Sequence, residues 1–342
     1  MKAAALIAAL CCVVSGIAIQ PSSLVAYELK GHIVIADQPV GPRPLPQPIG
    51  EAPSFSPKGD LVAFLRGGNV WLIQVADGQV KQLTHDPVLS HQYMFYEPSI
   101  TWSNSGDKLF YTRNRPYQYH RQKKGLAPAS DNDKADWIGA IWMAEVKTGK
   151  SKQLLGPKGN FRYLKSMWAL FFTSVYAPLL SPDQSSLWFV NVGSLYEVPI
   201  DLAKMEVVGK QRLITLQGSL DLDSTRASHA SMGIRELVWD SANSRLCWWF
   251  ERFGGTGFSS YGYISWKDGS WGKAYKWHPK FSREIQEAGD VNTNDAVFDS
   301  AGKLWVSAYN QKRMSYSWVR QDGLDHLPVG ADNPTWPRNL ER

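Results

Sequence analysis

The chain has little cysteine: of its three, Cys11 and Cys12 fall in the first dozen positions and only Cys247 lies beyond. A disulfide framework is thereby excluded, and the fold must be held by buried apolar surface. Long apolar runs are also missing. The stretch from Ala3 to about Val14 is shorter than the roughly 20 residues of a membrane helix, so no integral membrane protein is expected. No H-x-x-x-H, H-E-x-x-H or C-x-x-C pair offers ligands at a fixed spacing. The acidic triplets at 131–133 and 221–223 lack the glycine and distal glutamate of a twelve-residue calcium loop. No metal and no cofactor is expected. Nor is there a block of one charge. The 37 Lys and Arg are interspersed with 31 Asp and Glu, so the net charge of +6 serves solubility, and no nucleic-acid partner is expected.

What is present begins with "MKAAALIAALCCVVSGIAIQ". One cation, a short apolar core and small residues up to Ala18 are the pattern of a secretory signal peptide over residues 1–18. The mature chain, 19–342, is then expected in the periplasm or secreted. An exported chain left with one cysteine needs large buried side chains, and 15 Trp, 14 Tyr and 13 Phe supply them.

A short pattern recurs: "PSFSPKGDLVAF" at 53, "PSITWSNSGDKLFY" at 98, "PLLSPDQSSLWFV" at 178, "RELVWDSANSRLCWWF" at 235 and "NDAVFDSAGKLWVS" at 294. Each is a strand, a Gly/Asn/Asp/Ser turn and a second strand, the signature of a hairpin. A further pair of apolar runs follows each, as in "NVWLIQVADGQVKQLT". Four antiparallel strands make one propeller blade, and spacings of about 45 to 80 residues fit blades carrying loop insertions. Five full blades start near 53, 98, 178, 235 and 294. The N-terminal "AYELKGHIVIAD" and the C-terminal "ADNPTW" are part-blades. Joining them in one shared blade protects both edge strands, so the expectation is a single all-β propeller domain of six blades, with five as the alternative.

The Ser-Pro-x-Gly turn and the run ending in "QLT" resemble the WD-like blades of TolB-type propellers, and are similar to the propeller domains of prolyl oligopeptidases and dipeptidyl peptidases. The resemblance implies the fold and is nearly silent on function. The founding translocation protein carries a separate α/β domain before its propeller, and here only residues 19 to 52 precede the first full blade. The peptidases append a hydrolase domain with a G-x-S-x-G nucleophile elbow, a motif absent from this sequence. "LTHDPVLSHQYMFYE" is similar to the opening blade of oligogalacturonate lyases, whereas "GDVNTNDAVF" stands where those enzymes place further histidines.

In an alternating blade, the first-to-second and third-to-fourth turns share one face, and here they are short. The second-to-third and inter-blade connections share the other, and several of these are long. Binding residues gather on long loops of rigid scaffolds. The candidate ligand-binding set on that face is His91, Tyr93, Tyr96, Arg113, His120, Arg162, His229, Arg235, Arg252, Asn292 and Asp295, with Tyr176 also near a channel mouth. No catalytic residue is assigned. The five cations between Arg113 and Lys124, interleaved with Tyr117 and Tyr119, read either as a contact for an anionic glycan or cell-envelope partner or as a flexible insertion, with the acidic "DNDKAD" following at once. The leading expectation is a non-enzymatic exported propeller that binds a protein or cell-envelope component on its long-loop face. The alternative is a lyase or hydrolase acting on an acidic polysaccharide, with arginines holding carboxylates and His91 or His229 as base.

Overall fold

The computed structural model describes residues 24–37, 41–86, 99–117, 136–156, 175–191, 194–215, 232–252, 260–277, 296–299, 301–310, 315–320, 327–328 and 331–335. The proposed leader, residues 1–18, lies outside them.

Six small antiparallel sheets form a ring, a six-bladed β-propeller. Blade 1 contains β4 (Glu51–Phe55), β5 (Leu61–Arg66), β6 (Asn69–Gln74) and β7 (Val80–Gln82), from the axis outward. Blade 2 contains β8 (Ile100–Trp102), β9 (Lys108–Tyr117), β10 (Asp136–Glu145) and β11 (Ser151–Leu155). In blade 3, β12 (Val175–Leu180), β13 (Ser186–Asn191) and β14 (Ser194–Asp201) are followed by β15 (Glu206–Val207) and β16 (Arg212–Thr215), both paired with β14. Blade 4 is β17 (Met232–Asp240), β18 (Arg245–Arg252), β19 (Ser260–Lys267) and β20 (Ser270–Trp277). Blade 5 is β21 (Ala296–Phe298), β22 (Leu304–Asn310) and β23 (Ser315–Arg320), with the Leu327 N–H donating to the Trp318 carbonyl of β23 at 2.9 Å.

The sixth blade closes the ring from both ends of the chain. Its innermost strand is β24 (Ala331–Thr335), followed outward by β1 (Leu24–Leu29), β2 (His32–Asp37) and β3 (Gly41–Pro42). Ala331 pairs with Leu29, Asp332 with Glu28 and Thr335 with Ala26. The closing strand falls on "ADNPT" of the C-terminal part-blade, where buried Ala331 joins Val25, Tyr27, Val34, Trp305 and Trp318 in one apolar cluster.

The second strand of every blade contributes at least one fully buried aromatic: Tyr27, Phe64, Phe110 and Tyr111, Trp188 and Phe189, Trp248, and Trp305. These fill the wedges between blades, which widen outward and demand large side chains. Leu24, Ile33, Phe55 and Phe64 join the closing blade to blade 1, and Ala63, Leu65, Trp102 and Leu109 join blade 1 to blade 2. Phe110, Ile141, Leu187 and Phe189 join blade 2 to blade 3, and Trp188, Val190, Ile234 and Trp248 join blade 3 to blade 4.

Candidate long-loop face

The first turn of each of the five full blades is closed from within. In blade 1 the Ser56 hydroxyl donates to Asp60 at 2.6 Å and accepts from the Leu61 N–H at 3.1 Å. Ser103 and Ser181 repeat the device in blades 2 and 3, accepting from the Lys108 and Ser186 N–H groups at 3.0 Å each. In blades 4 and 5 an aspartate takes the serine's place. Asp240 accepts from Arg245 Nε at 2.7 Å, and Asp299 accepts from the Lys303 N–H at 2.8 Å and Trp305 Nε1 at 3.0 Å. Hydroxyl and carboxylate groups engaged on their own turn hold that turn closed.

The opposite face receives the chain as it passes from blade to blade. Two innermost strands start there with a bulge: Ala52 at φ 51° and Ala177 at φ 51°, each followed by a proline. A left-handed alanine costs roughly 1 kcal/mol, and the bulge re-aims the residue before it. In β12 that residue is Tyr176, whose hydroxyl donates to the Ile234 carbonyl of blade 4 at 2.8 Å, tying two blades together beside the channel.

The best-defined polar cluster of this face lies in the wedge between blades 1 and 2. Gly67 and Gly68, with φ of 60° and 74°, turn β5 into β6 as a two-residue hairpin, and Asn69 is the first residue after the turn. Its side chain donates to the Asp86 carbonyl at 2.9 Å and accepts from the Asp86 N–H at 2.8 Å. It also accepts from the Thr84 hydroxyl at 3.1 Å. Asp86 Oδ2 accepts from the Ser151 hydroxyl at 3.0 Å and lies 3.4 Å from Arg113 Nη1. Arg113 is 5% exposed, with its guanidinium carbon 5.0 Å from the centre of the Trp142 ring. Tyr111 sits beside Ser151 and Thr84. Burial pushes its phenol above the ordinary value, and the neighbouring Asp86 charge adds to the effect.

Arg113 therefore points into the inter-blade wedge, engaged by Asp86 and Trp142, and anchors the base of the face. Of the other expected site residues, Arg235 falls in β17 and Arg252 ends β18, both toward the long-loop end of blade 4. His91, Tyr93, Tyr96, His120, Arg162, His229, Asn292 and Asp295 lie outside the described residues. Sequence reasoning missed Asn69, Thr84, Asp86 and Ser151. Their only local signals were the Gly-Gly-Asn turn and the "LTHD" that ends blade 1. Among the described residues no group of three or more His, Cys, Asp or Glu is arranged to hold a metal, and no helix is long and apolar enough to cross a membrane. Cys247 is buried, and desolvation pushes its thiol up to about 12, against the opposing pull of Arg245 and with help from Asp240. A thiol held protonated at neutral pH is no nucleophile.

Residues 27–123 match the family described as the dipeptidyl peptidase IV (DPP IV) N-terminal region. The match runs from the closing blade through blade 1 into blade 2, in agreement with the resemblance read from the repeats. No curated protein matches the chain. Among solved structures, a protein assigned as TolB from Agrobacterium tumefaciens is 13% identical with a TM-score of 0.48, the match covering 91% of this chain and 90% of that one. The Myceliophteria thermophila Cps50 (Swd1) β-propeller domain is 12% identical, with a TM-score of 0.47 and coverage of 92% and 87%. Porphyromonas gingivalis dipeptidyl peptidase 4 is 13% identical with a TM-score of 0.38, covering 87% of this chain and 42% of that one. At these identities and TM-scores no property of these proteins is carried across to this chain.

Proposed function

We infer that this chain is a non-catalytic β-propeller, exported after removal of residues 1–18, that binds a protein or cell-envelope ligand on its long-loop face. The observation that carries the reading is the difference between the two faces. One carries the short turns within blades, closed by their own serine or aspartate side chains. The other collects the inter-blade connections on a braced base, where Asp86, Arg113, Asn69 and Ser151 are spent on holding the scaffold. A rigid base under long connections is the arrangement of binding scaffolds.

The test is affinity capture from envelope extract. Wild-type protein is compared with a variant in which residues 118–135 are replaced by a short Gly-Ser linker, and with a second variant altered at Pro57–Lys58 in a short turn. Retention of a partner by wild type and the short-turn variant, with loss in the long-loop variant, supports the reading. Equal capture by all three removes the face assignment. Turnover of an acidic oligosaccharide by the purified protein replaces the binding function with an enzymatic one.

A further inference from the structure

Propeller blades end in an outer strand whose free edge faces solvent. An unpaired edge is a template for another strand, and proteins keep it short, twisted or charged. Four of the outer strands here obey that rule by length. β3 has two residues, β7 three, β11 five and β16 four. In blade 5 the outermost described strand is covered where Leu327 bonds to Trp318. β20, with eight residues, is the exception, and among the described residues it pairs only with β19.

Its first half is spoiled as a template. The register slips between Ile264 and Trp266, and a Cβ at Gly272 would run into the Ser265 hydroxyl, so the strand is bulged there. The register is regular over Ala274–Trp277, and with Lys273 just before it Tyr275 stands at the centre of a five-residue run. That residue is 46% exposed, large for an aromatic, and it ends a ladder across three strands. Arg245 lies 4.9 Å over the Tyr263 ring. Tyr263 stacks on Tyr275 at 5.4 Å with 25° between the planes, and the Lys273 ammonium is 5.9 Å from the Tyr275 centre.

We propose that the β20 edge is a self-association surface, where two copies of this chain pair antiparallel about a two-fold axis at Tyr275. The register sets Tyr275 opposite its own copy, Ala274 opposite Lys276 and Lys273 opposite Trp277. No two lysines are directly opposed, although the run contains two, so no like-charge pair faces across the seam. The two-tyrosine ladder becomes one of four, and the exposed ring is covered. The symmetry is closed, giving a dimer and no fibre. Five residues per copy make a small interface, so the dimer is weak, with a dissociation constant on the order of 10 to 100 µM.

Sedimentation velocity of the purified chain from about 5 to about 500 µM tests it, a range bracketing that constant. Wild type is expected to shift from monomer to dimer across the range, and Tyr275→Phe, which keeps the ring, to shift with it. Tyr275→Lys places two cations on the axis and is expected to stay monomeric, weakening association at least tenfold. Its thermal melt should stay cooperative and fall only by the loss of the stack on Tyr263, which shows that the fold is kept. A wild type that stays monomeric at the highest concentration overturns the proposal, as does a Tyr275→Lys variant that dimerises like wild type.

Discussion

Truncating the chain after residue 330 removes β24, the innermost strand of the closing blade. It breaks the register from Ala331–Leu29 to Thr335–Ala26, about four backbone hydrogen bonds at about 1 kcal/mol each. It also returns Ala331 and Pro334, both buried, to water or leaves voids where they were, for about another 1 to 2 kcal/mol. The sum is about 5 kcal/mol against a typical total of 5–15. The damage does not stay local, because β1 becomes a raw edge on the channel, and the cluster joining Tyr27 and Val34 to Trp305 and Trp318 loses a wall. At about 2 °C per kcal/mol the melting temperature should fall by ~10 °C or more, with a broader transition. Circular dichroism melts of the full chain, the 331–342 deletion and a deletion of 336–342 alone decide it. The shorter deletion should melt like the full chain. A cooperative, unshifted melt of the longer deletion would show that ring closure does not rest on β24.

Three further outcomes follow from individual polar side chains. Arg113→Met leaves Asp86 with the Ser151 hydroxyl but no counter-charge and should cost about 2 to 3 kcal/mol in urea unfolding; Asp86→Asn with Arg113→Met together should cost less than the sum of the singles, and strict additivity would deny the pair any role. Burial alone would raise the carboxyl pKa of Asp107 and Asp183, but bonds from Ser105, Ser103 and Lys108 to the first, and from Ser181 and Ser185 to the second, hold both below the ordinary value. A depressed folded pKa contributes stability above the unfolded value and loses it as pH falls through the folded one, so unfolding free energy should decline from about pH 4 downward, and a flat profile there would refute the assignment. Cys247 should resist iodoacetamide at pH 8 in the native protein and react fully in urea, read by mass spectrometry at that residue.

The blade pattern was legible because its causes are local. Alternating apolar residues, Ser or Asp at the first turn and Gly-Gly after Arg66 act over a few positions, and they give hairpins wherever they occur. Even the shared blade followed from the two unmatched ends and the cost of leaving their edges open. The sequence could not say that Arg113 would meet Asp86 and Trp142, that the Tyr176 hydroxyl would reach Ile234, or that Tyr275 would stack on Tyr263 across β19 and β20. Each of these depends on which residue faces which across a wedge or a sheet, among segments tens of residues apart. Local propensity is blind to such pairings, whereas closing the ring fixes every wedge at once.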